Sequence, residues 1–242
     1  MDNSGGGSGV TFETIDAADA GSEEVAALST GEQACERIRH DIVFGRLRPG
    51  QRLTLDKLRP VYGVGISTLR EIFNRLVPEG FVVAEGQRGF QVAPCTAGEL
   101  RELADLRLLI EGHALAQSFA AGDVEWEGRV VAAHHKLARM EERLLGGDDS
   151  GTLQWKRYDF EFHQALVSAC GSKALLDLHA GIYERYLRYQ MVFFVFWGPA
   201  SIGEHRTLLD CALRRDASEG QRLLQGHIQG CIDVALERGL LA

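Results

Sequence analysis

Apolar positions recur at helical spacing along most of this chain, and the exception is one short stretch near residue 80. From Ser29 onward, Ala34, Ile38, Ile42 and Val43 predict a helix, with Ser29 or Thr30 as its cap and Gln33 near the capping-box position. Gly45 and the turn Arg48-Pro49-Gly50 end it. Thr54 is expected to cap a second, short helix from Leu55 to Tyr62. After the tight turn Gly63-Val64-Gly65, a third helix starts near Ser67 and runs to about Pro78, burying Leu69, Ile72, Phe73 and Leu76. Phe81-Val82-Val83-Ala84 and Phe90-Gln91-Val92 are β-prone runs around a Gly-containing turn, which predicts a hairpin. Two helices joined by a short glycine turn read as a helix-turn-helix, and a hairpin directly after it reads as a wing.

From Thr96 the pattern is helical throughout. Thr96 and Glu99 have capping-box spacing, and Leu100, Leu103, Leu106, Leu109 and Ile110 form an apolar stripe in a helix reaching Ala121. Further helices are expected over 125–145, 152–170, 172 to about 196, 201–215 and 217–238, with an exposed loop over 146–151. The expected fold is therefore mainly α. A winged helix-turn-helix (29–95) precedes an all-α bundle of six or seven helices (96–242). Residues 1–28, Gly/Ser-rich and then acidic and Ala-rich, are expected to form a disordered tail. The aromatic run Phe193, Phe194, Phe196 and Trp197 is expected to serve core or dimer packing.

Composition narrows the function classes. The longest apolar run, Met191 to Trp197, falls far short of the roughly 20 residues that span a bilayer, so no membrane partner is expected. The first residues carry neither the basic nor the apolar region of a secretory signal. Five scattered cysteines without a CxxC pair predict reduced thiols in a cytoplasmic protein and argue against a zinc knuckle. The net charge of −8 at first argues against nucleic acid. Its distribution reverses that reading. Residues 1–29 hold six acids and no base, whereas residues 30–95 hold ten bases against seven acids. A DNA-binding module needs positive charge only where it meets phosphate.

The third helix presents Ser67, Thr68, Arg70 and Arg75. Arginine suits the O6/N7 edge of guanine or a phosphate, and hydroxyls suit phosphate or base edges. Arg88 at the wing tip has the chemistry to enter a minor groove. The plainer alternative is a solvated helical hairpin whose charges only keep it soluble.

A second constellation lies in the helical half. Asp159 and His163 are spaced i, i+4 on one helix face, and His205 and His227 fall on two later helices. Three imidazoles and a carboxylate suit a divalent metal ion, zinc or nickel first, and a bundle core is where such ligands converge. The alternative is ordinary surface or capping histidines.

These motifs carry a family resemblance. Ile42 to Leu53 resembles the I-x-x-G-x-L-x-P-G-x-x-L opening of GntR-type regulators, and Tyr62 to Val82 resembles their V-S-x-x-x-V-R-E-A-L-x-x-L-x-x-E-G-L-V core. The resemblance implies a winged DNA-binding domain in which Arg70 contacts DNA. Gly65-Ile66 stands where the family has Ser-Arg, and Ile72-Phe73 where it has Ala-Leu, so the operator cannot be copied from relatives. Arg107 to Glu111, Asp159 to His163, Glu204-His205 and Gly226-His227-Ile228 are similar to motifs of the FCD effector domain. That similarity implies that Asp159, His163, His205 and His227 ligate a metal, which in turn holds a carboxylate effector with Arg107. Tyr186 and Arg188 are further effector candidates. An Arg107–Glu111 surface pair is the simpler reading of Arg107. Val64 to Glu71, Trp126-Glu127 and Ala169 to Ser172 look closest to the carbon-starvation branch, which implies a glutarate-type dicarboxylate.

The expected function is an effector-controlled regulator, a repressor by preference, that binds double-stranded operator DNA as a homodimer and is not an enzyme. Two rivals remain at this point. One is a sensor for which the metal itself is the signal. The other is a helical metalloenzyme in which the same four residues activate water.

Overall fold

The computed structural model describes residues 28–193 and 199–237. The readings placed on the N-terminal tail through residue 27 and on Phe194, Phe196 and Trp197 lie outside these residues. The N-terminal part contains α1 (Thr30–Val43), β1 (Arg52–Leu53), α2 (Leu55–Tyr62), α3 (Ile66–Leu76), β2 (Val82–Ala84) and β3 (Phe90–Val92). Ser29 caps α1 in a complete capping box whose partner is Glu32, so Gln33 lies one residue beyond that role. Thr54 stands at the N-cap of α2, but its side chain makes no capping bond. Gly63, at φ 69°, ends α2 in the left-handed region and turns the chain into α3. Leu69, Ile72, Phe73 and Leu76 form the buried face of α3, as the spacing predicts.

The hairpin forms, with Val82 opposite Val92 and Ala84 opposite Phe90. β1 was not expected from the sequence. It pairs antiparallel with β3 and makes the order β1-β3-β2. Two residues are too short a run to show a period, so β1 depends on β3 for its existence. At the wing tip Gly89 adopts φ 93°, ψ −136°, a conformation essentially reserved for glycine.

The helical part contains α4 (Ala97–Ala121), α5 (Val124–Leu145), α6 (Thr152–Val167), α7 (Lys173–Phe193), α8 (Pro199–Arg214) and α9 (Ala217–Glu237). Thr96 caps α4 by accepting from the Glu99 amide, but the Glu99 carboxylate turns instead to Arg185 and Tyr189. The stripe expected on α4 is rotated. Leu100 and Leu103 are buried, whereas Leu106 and Leu109 are 44% and 70% exposed. The buried line continues through Arg107, Glu111, Leu115 and Ser118, so the apolar count along α4 misidentified its inner face because polar residues occupy it.

Three apolar clusters hold the chain together. One unites α4, α5, α6 and α8 around Trp126, Trp155 and Phe162. Another joins α4, α7 and α9 around Tyr186 and Tyr189. The third is the core of the winged domain, and it also contains Tyr183 and Leu187 of α7. In the first cluster, Trp126 is fully buried and donates from Nε1 to the Ala165 carbonyl at 3.0 Å. A Cβ at Gly122 would fall 2.4 Å from the Trp126 ring. Gly122→Ala is therefore expected to destabilise the bundle by about 1–3 kcal/mol, the usual cost of overpacking. Urea denaturation of the variant, with an unchanged m-value, checks this.

Candidate metal centre and nucleic-acid interface

Asp159, His163, His205 and His227 come together in the bundle core from α6, α8 and α9. All four are buried, and one ligand atom from each lies within 4.8 Å of the others. That span is a little over twice a metal–nitrogen bond of about 2.1 Å. Asp159 and His163 share the inner face of α6, as the i, i+4 spacing requires. His205 and His227 reach the same point only because α8 and α9 fold back against it.

Each imidazole is oriented from behind by a carboxylate. His163 Nδ1 lies 2.5 Å from Glu111 Oε1, His205 Nδ1 2.6 Å from Glu141 Oε1 and His227 Nδ1 2.8 Å from Glu204 Oε2. An ionised carboxylate only accepts, so it places the proton on Nδ1 and leaves the Nε2 lone pair turned inward. His163 Nε2 is buried without a hydrogen-bond partner, and His205 Nε2 lies 3.2 Å from Asp159 Oδ1. Asp159 Oδ2 is held from the other side, accepting from the Tyr183 hydroxyl at 3.0 Å and from Lys156 Nζ at 3.3 Å.

The electrostatics suit a cation. Burial alone would raise the Asp159 carboxyl, but Lys156, His205 and His163 hold it well below the usual carboxylate range. Burial likewise opposes ionisation of Glu111, and Arg107, His163 and His179 overcome it. Burial lowers His163, and burial with the neighbouring imidazoles lowers His227 further, which keeps both in the neutral form that binds metal. His205 goes the other way. Burial lowers it, but its contacts with Asp159 and Glu141 raise it to about 9, so without an ion its Nε2 carries a proton that a bound metal would displace. With the proton on Nδ1, a buried Nε2 without a partner, three imidazoles and one ionised carboxylate fit a borderline divalent ion.

Arg107 lies beside this centre. Its Nε donates to Glu111 Oε2 at 2.7 Å, and its Nη2 is 3.2 Å from His163 Nδ1. The i, i+4 pair with Glu111 therefore exists, but inside the bundle, at 1% and 0% exposure, rather than on its surface. The guanidinium stacks over Tyr183 at 4.1 Å and Tyr186 at 4.9 Å. Tyr186 thus borders the centre, with its hydroxyl donating to the Ile228 carbonyl. Arg188 is placed elsewhere, buried at the junction between the two parts and donating to the Ala93 carbonyl. Glu141, Lys156, His179 and Tyr183 were missed from the sequence. Lys156 stands at i, i+3 to Asp159 on α6, a spacing that could have pointed to it, whereas Glu141, His179 and Tyr183 meet the site only through helix packing.

In the winged part, Ser67 and Arg70 are exposed on α3, and Arg88 is exposed at the wing tip. Thr68 is half-buried, with its methyl facing Gly31 at the start of α1. Arg75 is exposed but lies 3.7 Å from Glu79. Arg39 and Arg46 are engaged by acids. Among the described residues, Arg48, Arg52, Lys57, Arg59, Arg70 and Arg88 make no ion pair. Arg52, a further residue the sequence reading passed over, donates to the Arg88 carbonyl at 3.0 Å and ties β1 to the wing.

Comparison with known proteins agrees with this division. Residues 30–92 match the family described as bacterial regulatory proteins, gntR family, and residues 102–230 match the FCD domain. The HTH-type transcriptional regulator BphR of Paraburkholderia xenovorans strain LB400 is 38% identical over 212 residues, covering 87% of this chain and 86% of its own. The HTH-type transcriptional repressor GlaR of Escherichia coli K12 is 28% identical over 79% of this chain and 89% of its own. Among solved structures, a GntR regulator from Rhodococcus sp. RHA1 covers 87% of this chain and 99% of its own, with a TM-score of 0.71 and 24% identity. Escherichia coli McbR/YncC gives the same coverage, with a TM-score of 0.72 and 21% identity. At these identities the two structures speak for the fold.

Proposed function

Because the chain belongs to the GntR family of bacterial regulators, a DNA-binding transcription regulator with an FCD domain and not an enzyme, we propose that a carboxylate effector bound at a metal centre controls its grip on operator DNA. The observation that carries this reading is the inward-facing, unpartnered Nε2 of His163 among Asp159, His205 and His227, with every imidazole braced by a glutamate. Asp159, His163, His205 and His227 would hold zinc or nickel. The metal would supply a Lewis-acidic position for a carboxylate oxygen. Arg107 adds a planar donor pair beside it, and Tyr186 supports that guanidinium from below. Arg188, which faces the Ala93 carbonyl, acts on the effector only if that contact opens.

On the DNA side, Arg70 and Ser67 of α3 are the groove-reading residues, with Arg88 of the wing as a minor-groove contact. Thr68 sets the α1–α3 seat, and Arg75 contributes to phosphate attraction. The protein acts as a homodimer in the cytoplasm, because two heads on half-sites about one helical turn apart multiply affinity and specificity. Leu106 and Leu109 offer apolar surface on α4 to a second copy. Repression relieved by an organic acid, a dicarboxylate first, is the favoured sign, and the relative GlaR is itself a transcriptional repressor. No helix among the described residues is long and apolar enough to cross a membrane.

The test combines three measurements on the purified protein. Metal analysis and sedimentation are expected to give one divalent ion per chain and a dimer. Duplexes selected from random DNA are expected to bind tightly, and an organic-acid screen is expected to find an acid that weakens binding only when metal is present. A protein released from DNA by zinc alone, with no acid required, would instead be a metal sensor.

A further inference from the structure

Helix α7 touches both functional parts, and its contacts are specific on each side. Toward the metal centre, the Tyr183 hydroxyl donates to Asp159 Oδ2 at 3.0 Å. One turn earlier, His179 Nε2 lies 3.1 Å from Glu111 Oε2, and the other oxygen of that carboxylate holds His163. Two of the four cluster residues are therefore tied to α7, one directly and one through Glu111. Both pairs are fully buried, and the Tyr183 hydroxyl cannot leave Asp159 without leaving a polar atom unpaired; His179 Nε2 faces Glu111 at ion-pair distance without making a hydrogen bond.

Toward the DNA-binding part, the same helix is part of the core. Tyr183 and Leu187 belong to the apolar cluster of α1, α2 and α3, and Phe160, the neighbour of Asp159, packs on it with its ring 4.9 Å from that of Tyr183. Glu184 lies 3.5 Å from Arg39 of α1, which also holds Glu79 at 2.8 Å. Arg185 donates to Glu99 at 2.6 Å, and its guanidinium fills the space where a Cβ at Gly80 would stand. Tyr189 donates to Glu99 at 2.6 Å and accepts from the Thr96 amide at 3.2 Å. The connector between the two parts is thereby fastened to α7 at residues 93, 96 and 99.

We propose that Tyr183 is the residue through which the state of the metal centre reaches the DNA-binding head, with His179 as a second, indirect tie on the same helix. The inference rests on the metal-centre reading above. Its physical basis is that Asp159 has two oxygens with different duties. Oδ1 faces the histidines, and Oδ2 holds Tyr183 and Lys156. A ligand that pulls on Oδ1 reorients the carboxylate and with it the Tyr183 hydroxyl. The Tyr183 ring is locked in the head's core, so the displacement is delivered to α1 rather than dissipated at a surface. Close-packed contacts transmit such shifts because they cannot stretch.

The test uses the full-length protein, zinc as the metal and a labelled duplex selected from random DNA by the metal-free protein. Tyr183→Phe removes the hydroxyl and keeps the ring. In the wild type, zinc alone is expected to tighten operator binding by about 5- to 150-fold, and by reciprocity the duplex tightens zinc binding by the same factor. Tyr183→Phe is expected to bind metal-free operator within about threefold of wild type and to bind zinc about 10- to 100-fold more weakly, as loss of an outer-shell partner of Asp159 entails; at saturating zinc, the factor linking the two falls towards one. Hydrogen exchange gives an independent readout. Zinc is expected to protect 152–167, 173–193 and 30–43 in the wild type, but to lose its effect on 30–43 in the variant. His179→Gln serves as a second variant and is expected to reduce the factor in part.

A full linkage factor in Tyr183→Phe would overturn the assignment. So would a Tyr183→Phe protein that no longer binds zinc, because Tyr183 would then only position Asp159. A wild type that binds zinc with no change in operator affinity would overturn the coupling and leave the metal centre standing. A wild type that binds no zinc would overturn the metal-centre reading itself.

Discussion

Arg70→Ala is expected to weaken operator binding by about 5- to 150-fold, the equivalent of about 1–3 kcal/mol for one good arginine–base contact. Arg70 projects from α3 into solvent and makes no ion pair among the described residues. Its removal therefore costs the fold little, and the variant should melt with the wild type. The measurement is fluorescence anisotropy at one fixed salt concentration, since phosphate contacts make every affinity salt-dependent. Base reading and phosphate attraction separate in the controls. If Arg70 reads a base, its loss lowers affinity for the selected duplex more than for a scrambled one. Arg75→Ala is expected to lower both about equally and to reduce the salt dependence. Equal loss on both duplexes for Arg70→Ala would reduce it to a phosphate contact, and no loss on either would place the interface elsewhere.

The second large effect is on stability. Loading a divalent ion at about 1,000 times its dissociation constant stabilises the folded state by about 4 kcal/mol, provided the unfolded chain does not bind it. For a chain of this size, about 2–4 °C of melting temperature accompanies each kcal/mol. Chelation is thus expected to lower Tm by about 8–16 °C, and zinc or nickel to restore it. His205→Asn should abolish that response. It should also destabilise the metal-free protein, because Glu141 and Asp159 lose a buried partner at 2.6 and 3.2 Å. His135, exposed on α5, provides the control, since His135→Ala should leave the metal response intact. A melting temperature indifferent to chelator, in a protein that copurifies with no metal, would be incompatible with the centre described above.

How much of this was legible beforehand differs between the two parts. The winged part was readable because its elements are local. Leu69, Ile72, Phe73 and Leu76 follow a helical period, Gly63 marks a turn that needs a left-handed residue, and the hairpin alternates around a glycine-rich tip. What escaped was β1, whose two residues have no period of their own and pair with a strand nearly forty positions away. In the helical part the spacing of Asp159 and His163 put both on one face of α6. The choice of His205 and His227 rested on family resemblance, because no spacing rule links three helices.

Amphipathic reading failed on α4. It assumes that a polar residue points outward, and Arg107 and Glu111 point inward. They are stable there because each neutralises the other and both border the histidines. Leu106 and Leu109 are left outside as a consequence.

By itself, the sequence determined the helices and the hairpin, the exposed arginines of α3 and the wing, and the residue types able to hold a metal. Those follow from short-range geometry, which a period or a turn residue records. Only the tertiary structure decided which side chains meet. It placed a glutamate behind every imidazole and gave Asp159 a separate partner for each oxygen. It also set Tyr183 in the DNA-binding head's core while its hydroxyl holds Asp159. Most such contacts join residues 23 to more than 60 positions apart. They depend on how helices pack, and no local pattern in the chain encodes that.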